Sequence, residues 1–430
     1  MADAALRLTT LAEELLGAPL PVRIRAWDGS ESGPPGAPTV VVRNRRALRR
    51  LLWKPGELGL ARGWVAGEID VDGDLYAVLD RIAGLLWERG ADAQELAHPL
   101  RDPRLRAAGK RLLEIVGPWP PPPPPPEEVR RRSGALHTKR RDRAAISHHY
   151  DVGNDFYEMV LGPSMVYSCA YFEHTDSPLE DAQRDKLDLV CRKLGLKEGE
   201  RLLDVGCGWG SMAMHAAREY GAQVTGVTLS REQAAFARKR IAGEGLTDRI
   251  EIRVQDYRDV RDGPYDAISS IGMAEHVGSV RFREYADDLY ALLKPGGRLL
   301  NHQIGRRPEK DESKYRIDDF IDAYVFPDGE LAPLGRTVGT LEEAGFEARD
   351  VESLREHYAL TLRQWVRNLE RHWTEAVRLT SPGRARVWRL YMAASALSFE
   401  HNRIGVNQIL AVKPGESGVS GLPLRARSWR

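Results

Sequence analysis

The chain has 430 residues, more than one ordinary domain holds, with 42% hydrophobic and 29% charged residues, the balance of a globular protein. Its 63 Lys and Arg against 62 Asp and Glu leave no global charge that would point to nucleic acid. The three cysteines, Cys169, Cys191 and Cys207, have no CxxC spacing. They exclude a disulfide framework and a zinc site, and they suit a reducing cytoplasm.

Residues 1–10 carry the acidic Asp3 and no apolar run, so no signal peptide is expected. No stretch approaches the roughly 20 apolar residues of a membrane helix, and no C-terminal prenylation box is present. Membrane contact is therefore expected to be peripheral. The alternating runs at 22–27 and 39–42 predict strands. Apolar residues at helical spacing over 48–53 and 75–87 predict helices, and Gly33-Pro34-Pro35-Gly36 predicts a loop. Residues 1–116 thus form a small α+β domain. A linker is expected over 117–143. It opens with the proline run 120–126, a stiff polyproline II spacer. From Arg130 to Arg143 it carries seven cations and one anion. That run is either a solvated linker or a patch for anionic lipid head groups, each cation contributing on the order of 1 kcal/mol. From 144 to 414, short apolar runs at 201–205, 223–228, 250–254, 265–271, 297–304 and 407–412 alternate with amphipathic stretches. That alternation predicts a mostly parallel, doubly wound sheet. Residues 415–430, rich in Gly, Pro, Ser and Arg, are expected to form a mobile tail.

The most informative local motif is Leu202-Leu203-Asp204-Val205-Gly206-Cys207-Gly208-Trp209-Gly210. A buried strand ends in an acid, and alternate glycines then let the backbone turn sharply and approach a ligand. Dinucleotides and S-adenosylmethionine both use such a loop. The dinucleotide fingerprint wants a third glycine where Ser211 stands, and an acid at the end of the next strand, which instead reads Gly226-Val227-Thr228. S-adenosylmethionine is therefore favoured. Asp204 can order the loop and, directly or through water, meet the methionine ammonium.

The motifs around this loop resemble the cyclopropane-fatty-acyl-phospholipid synthases and their mycolic-acid and methyl-branching relatives. They include 148–157 (His148-His149-Tyr150-Asp151 onward), Met165-Val166-Tyr167-Ser168-Cys169, Gln255-Asp256-Tyr257, Met273-Ala274-Glu275-His276, His302-Gln303-Ile304-Gly305 and Tyr324-Val325-Phe326-Pro327. The resemblance spans roughly 144–414. More weakly, Leu58-Gly59-Leu60-Ala61-Arg62-Gly63-Trp64 resembles the lipid-presenting domain of the full-length synthases. It implies a Rossmann-like class I methyltransferase domain with a seven-stranded sheet, and cofactor contacts from Tyr167, Ser168, Asp204, Gly206, Gly208, Thr228, Gln233, Asp256 and Tyr257.

The implied reaction alkylates an acyl double bond in an unsaturated phospholipid. An isolated alkene is a weak nucleophile, so it needs the sulfonium methyl. The resulting carbocation must be shielded from water and then lose a proton. In the resemblance the base is a bicarbonate ion caged by Glu275, His302, Tyr358, Cys169 and Ile304, the last two through backbone groups. Taken alone, Glu275 reads as a helix-start acid, His302 as a core imidazole, Tyr358 as a packing aromatic and Cys169 as a small buried hydrophobe. Ser395 stands where many relatives have a cysteine. The product is expected to be a cyclopropane, or a methylene branch that a separate reductase could convert to a methyl branch. The resemblance also implies a homodimer. Peripheral contact with the inner face of the cell membrane is expected through the basic linker, the apolar residues of 156–161, or the tail with Trp429. The competing readings are a methyltransferase of a small polar metabolite and a non-catalytic lipid-binding protein.

Overall fold

The computed structural model describes residues 3–87, 103–117, 120–129, 138–139, 141–142 and 152–425. The motif residues 148–151, most of the basic run 130–143, and Trp429 lie outside the described residues. The chain forms two compact units. One comprises 1–131 with 318–325 and 374–397, and the other 132–317 with 326–373 and 398–430. The sequence reading drew a single C-terminal domain over 144–414. Two of its segments group instead with the N-terminal unit.

The first unit contains α1 (Ala4–Leu16), β1 (Arg23–Arg25), β2 (Glu31–Ser32), β3 (Thr39–Val42), α2 (Arg46–Trp53), α3 (Glu57–Val65), β4 (Ile69–Asp72), α4 (Leu75–Trp87) and α5 (Pro103–Val116). Its sheet has the order β2-β1-β3-β4, with β1 and β3 parallel. Ala5, Leu8, Val22, Ile24, Val42, Ala47, Leu48, Val78 and Ile115 form its core. Beneath α2, Arg50 donates to Glu68 from Nε at 2.7 Å and Nη2 at 3.2 Å, and from Nη1 to the Pro123 carbonyl at 2.8 Å. Further along, Arg62 holds Glu128 bidentately at 2.7 and 2.5 Å. The proline run is therefore docked on its own unit rather than left as a free spacer. The same logic secures 374–397: Trp64 Nε1 donates to the Arg386 carbonyl at 2.9 Å, while Arg386 stacks on the Trp64 ring.

The second unit is built on β5 (Arg201–Val205), β6 (Gln223–Thr228), β7 (Ile250–Val254), β8 (Tyr265–Ile271), β9 (Leu293–Arg306), β10 (Ala332–Pro333), β11 (Glu347–Ser353) and β12 (Ile404–Val412). The order is β11-β12-β9-β8-β5-β6-β7, the expected seven strands, with the two-residue β10 added beside β9 as an eighth. Strands β9-β8-β5-β6-β7 are parallel, and β12 runs antiparallel to both β9 and β11. β5 is buried from Leu202 to Val205, as a strand covered on both faces requires. Because β5 lies between β6 and β8, the crossovers diverge on either side of it. The crevice at its carboxyl end is where open α/β sheets bind ligands.

The helices used below are α6 (Asn154–Leu161), α7 (Leu179–Leu194), α8 (Ser211–Tyr220), α9 (Arg231–Gly243), α10 (Ala274–Val277) and α11 (Arg355–Arg371). Helix α7 starts with Glu180 and Asp181, ends with Arg192 and Lys193, and stops at Gly195 in the left-handed region, as the helix dipole and C-cap favour. In α6, Phe156, Tyr157, Val160 and Leu161 are all fully buried. These residues are core, which removes α6 from the candidates for bilayer contact. Among the described residues no helix is long and apolar enough to cross a membrane.

Candidate active site

The turn after β5 has the geometry its glycines require. Gly206, Gly208 and Gly210 have φ of 77°, 53° and 83°, a region where a side chain is strained. The Gly206 and Cys207 amides both donate to the Val227 carbonyl, at 2.9 and 3.0 Å, which pins the turn to β6. A Cβ on Gly208 would meet nothing within 4 Å, so a ligand can approach its backbone closely. One pocket opens here. Its lining includes all nine residues expected at the cofactor: Tyr167, Ser168, Asp204, Gly206, Gly208, Thr228, Gln233, Asp256 and Tyr257.

Charge in this pocket is arranged by burial. Asp204 Oδ1 accepts from Ser269 Oγ at 2.7 Å, while Oδ2 is buried without a partner. Burial pushes its carboxyl up to about 6, against the Ser269 hydrogen bond and the Lys186 charge. The Thr228 hydroxyl donates to Gln233 Oε1 at 2.9 Å, leaving the Gln233 amide nitrogen as a donor. Burial also raises Asp256, but Arg258, held at 2.8 and 2.7 Å, brings its carboxyl below the usual range. A short stretch of the expected basic linker borders the same pocket. Asp142 lines it and meets Arg258 at 2.9 Å; Lys139 meets Asp259 at 2.6 Å, and Arg141 grips Asp328 at 2.6 and 2.7 Å. Lys139 and Arg141 are thus engaged by acids of this unit rather than presented as a free cationic patch.

None of the five expected cage residues lines the pocket itself, but Glu275 and His302 adjoin residues that do. Gly272 and Met273 line it, the Gly272 amide donates to the His302 carbonyl at 2.8 Å, and Glu275 follows in α10. Glu275 Oε1 accepts from the Ile304 amide at 2.7 Å, and its Oε2 is buried without a partner. The Ile304 N–H is thus taken up by Glu275 rather than left for a ligand. Burial pushes the Glu275 carboxyl up to about 7, only partly opposed by that amide. His302 on β9 faces Gln408 on β12, whose amide nitrogen donates to Nδ1 at 3.4 Å. The imidazole proton then belongs on Nε2, which is buried and unpartnered. Burial, with help from the Lys186 and Lys193 charges, lowers His302 to about 3 and keeps it neutral.

Cys169 is fully buried, its thiol pushed up by burial, with Sγ 3.5 Å from the Leu354 carbonyl. That same carbonyl accepts the Tyr358 amide at 3.0 Å, and the Leu354 amide donates to Val406, the β12 partner of Ile304. One chain of hydrogen bonds and strand pairing therefore joins Cys169, Tyr358 and Ile304.

Trp365, Phe399, Gln183 and Lys186 have no place in the sequence reading. A run of ring contacts leads from the glycine turn to the cage. It passes from Trp209 to Tyr157 at 4.7 Å, on to Tyr167 at 5.6 Å, to Trp365 at 5.4 Å, to Tyr358 at 6.0 Å and to Phe399 at 4.8 Å. Lys186 and Gln183, both buried on α7, reach Ser168: Nζ to Oγ at 2.9 Å and Nε2 to the carbonyl at 3.1 Å. Their signal was present, since two polar residues fall on the helix's apolar stripe with Leu187 and Val190. Among the described residues no group of three or more His, Cys, Asp or Glu could hold a metal ion.

The switch-point crevice, the glycine turn and the acid at its entrance define a class I, S-adenosylmethionine-dependent methyltransferase. Residues 137–409 match the family model of mycolic acid cyclopropane synthetase. A probable fatty acid methyltransferase of Mycobacterium tuberculosis is 43% identical over 410 residues, 94% of each chain. The cyclopropane-fatty-acyl-phospholipid synthase of Escherichia coli K12 is 34% identical over 88% of each chain. The solved structure of mycolic acid cyclopropane synthase CmaA1 complexed with SAH and CTAB aligns with a TM-score of 0.59 and 33% identity, over 63% of this chain and 97% of that one. The chain belongs to the cyclopropane synthase family, and its enzyme type is that of the cyclopropane-fatty-acyl-phospholipid synthases.

Proposed function

We propose that this enzyme methylates the double bond of an unsaturated phospholipid acyl chain, with bicarbonate held in the cage, to give a cyclopropane or a methylene-branched chain. The observation that carries this reading is that Glu275 Oε2 and His302 Nε2 are both buried without a partner, on residues adjoining Ile271, Met273 and His276 of the pocket lining. A buried polar group without a partner costs about 1–3 kcal/mol, so such atoms mark a ligand position. Bound here, S-adenosylmethionine supplies an electrophilic sulfonium methyl and bicarbonate supplies a base. Neutral His302 donates from Nε2, and Glu275, close to half protonated near neutral pH, donates or accepts through Oε2. The aromatic run from Trp209 to Phe399 excludes water from a carbocation and offers π faces to it. Asp204, Thr228, Gln233 and Asp256 would hold the cofactor. The lipid substrate is supported by the named activity of the relatives, and a methylene product would need a separate reductase to become a methyl branch.

The test uses methyl-labelled S-adenosylmethionine and vesicles of dioleoyl phosphatidylglycerol, with mass spectrometry of the acyl chains. A one-carbon gain on the oleoyl chain is expected. Turnover should fall in carbonate-free buffer and return with added bicarbonate. No label on the acyl chain would sink the lipid reading, and carbonate-independent turnover would sink the cage. Mild catalytic hydrogenation separates the products, because a methylene takes up hydrogen and the ring persists.

A further inference from the structure

Lys186 has no part in the reading above, yet it is only 1% exposed and lines the cofactor pocket. Its ammonium has three donors. One reaches Ser168 Oγ at 2.9 Å, and among the described residues it forms no ion pair. Lys193, two turns further along α7, is the contrast. It is equally buried, but meets Glu352 at 2.6 Å and Asp350 at 3.5 Å on the neighbouring strand, so its role is met within the fold. A strut for residues 166–168 is not needed either. Gln183 already holds the Val166 and Ser168 carbonyls at 3.4 and 3.1 Å.

Asp204 lines the same pocket with Oδ2 buried and unpartnered. Two opposite charges therefore face one crevice, each with hydrogen-bonding capacity to spare and neither satisfied by the other. An α-amino-acid zwitterion has the matching complement: an ammonium for Asp204 Oδ2 and a carboxylate for Lys186 Nζ, with Ser168 Oγ alongside. We propose that Lys186 anchors the carboxylate of the methionine end of S-adenosylmethionine, and so selects sulfonium donors that carry a carboxylate over decarboxylated ones. This rests on the cofactor reading given above. Lys186 is a binding and positioning residue: it fixes the amino-acid end and, through it, where the transferable methyl points.

The test compares S-adenosylhomocysteine with its decarboxylated analogue by calorimetry on the full-length protein. Wild type should prefer the carboxylate-bearing ligand by roughly 10- to 100-fold, the range of a charge-assisted hydrogen bond. Lys186→Met should reduce that preference to less than about threefold while leaving affinity for the decarboxylated ligand equal or higher. A purely structural lysine would lower both affinities together and keep their ratio. Equal binding of the two ligands by wild type, or a preference retained in Lys186→Met, overturns the proposal. The wild-type comparison needs no substitution, and Lys186→Gln replaces the methionine variant should that one not fold. A wild type that binds neither ligand overturns the cofactor reading itself, and this inference with it.

Discussion

Replacing Glu275 with glutamine should cut turnover to a low residual rate and yet make the protein more stable above neutral pH. Glu275 Oε2 is buried without a partner, and burial raises the carboxyl pKa from 4.5 to about 7. Between those values the folded protein holds a proton that the unfolded chain has released. Glu275 therefore destabilises the fold progressively as pH rises from 4.5 through about 7, and by a constant amount above that. At about 1.4 kcal/mol per pH unit, the interval corresponds to about 3 kcal/mol at pH 8 and under about 1 kcal/mol at pH 5. Glutamine is isosteric and keeps an oxygen to accept the Ile304 amide, so the native hydrogen bond survives. Urea unfolding of wild type and Glu275→Gln, followed by tryptophan fluorescence in carbonate-free buffer, gives the difference at both pH values. A gain of 2–3 kcal/mol at pH 8 that shrinks toward pH 5 is expected. A variant less stable than wild type at pH 8, or a difference independent of pH, would refute the reasoning.

Other consequences follow from single positions. Gly206→Ala puts a Cβ at φ 77° and 3.2 Å from Met273 Sδ; calorimetry should show at least a tenfold loss of S-adenosylmethionine affinity, with 1–2 kcal/mol of stability lost to the left-handed backbone, on the order given for such residues. Ser230 Oγ accepts the Gln233 amide at 3.2 Å as the N-cap of α9; Ser230→Ala should cost about 1 kcal/mol in urea unfolding and weaken cofactor binding by releasing Gln233. Arg50→Met leaves buried Glu68 only the longer contact with Arg46 at 3.4 Å, which should cost about 3 kcal/mol by thermal unfolding, with much of it recovered on adding Glu68→Gln. Bicarbonate activation should weaken above pH 7 as Glu275 ionises, by up to tenfold per pH unit, and Glu275→Gln should flatten that slope even if its residual rate is low.

The sheet was legible because its central strands are short apolar runs with abrupt ends. The runs at 201–205, 223–228, 250–254 and 265–271 coincide with β5 to β8. β9 begins at Leu293, four residues before the run at 297, because Tyr265 pairs with Leu293 and Ala267 with Arg298 across a bulge that absorbs Pro295 and Gly296. β11 was not among the runs read as strands. Glu347-Ala348-Arg349-Asp350-Val351-Glu352-Ser353 reads as a charged surface, and only folding reveals that buried Lys193 meets its acids. The grouping of 374–397 with the first unit was equally hidden, since it depends on Trp64 meeting Arg386 across 322 positions of sequence. In the site, the residues of the glycine turn were readable from backbone requirements alone. Glu275, His302, Tyr358 and Cys169 were readable only as members of a motif series, because each looks like ordinary core when isolated.

In the proposed cage an acid would stand beside an anion, an apparent contradiction that burial resolves. An ionised Glu275 would repel bicarbonate, and a cationic His302 would be the expected remedy. Desolvation instead drives both groups toward neutrality, His302 down to about 3 and Glu275 up to about 7. A neutral imidazole with its proton on Nε2 is a donor, and Glu275, about half protonated near neutral pH, donates in its protonated form, so the proposed cage would offer directed donors with little net charge. That choice suits a site that must hold a base without quenching it. A fixed cation would lower the basicity of the bound anion and oppose the carbocation forming nearby, whereas neutral donors position the anion and leave most of its charge to offset that cation. Opposite charges lie at the cofactor end, where Asp204 and Lys186 both line the pocket. On the proposed reading, a charged end would grip a zwitterion and a neighbouring, less charged end would tolerate a cation in transit.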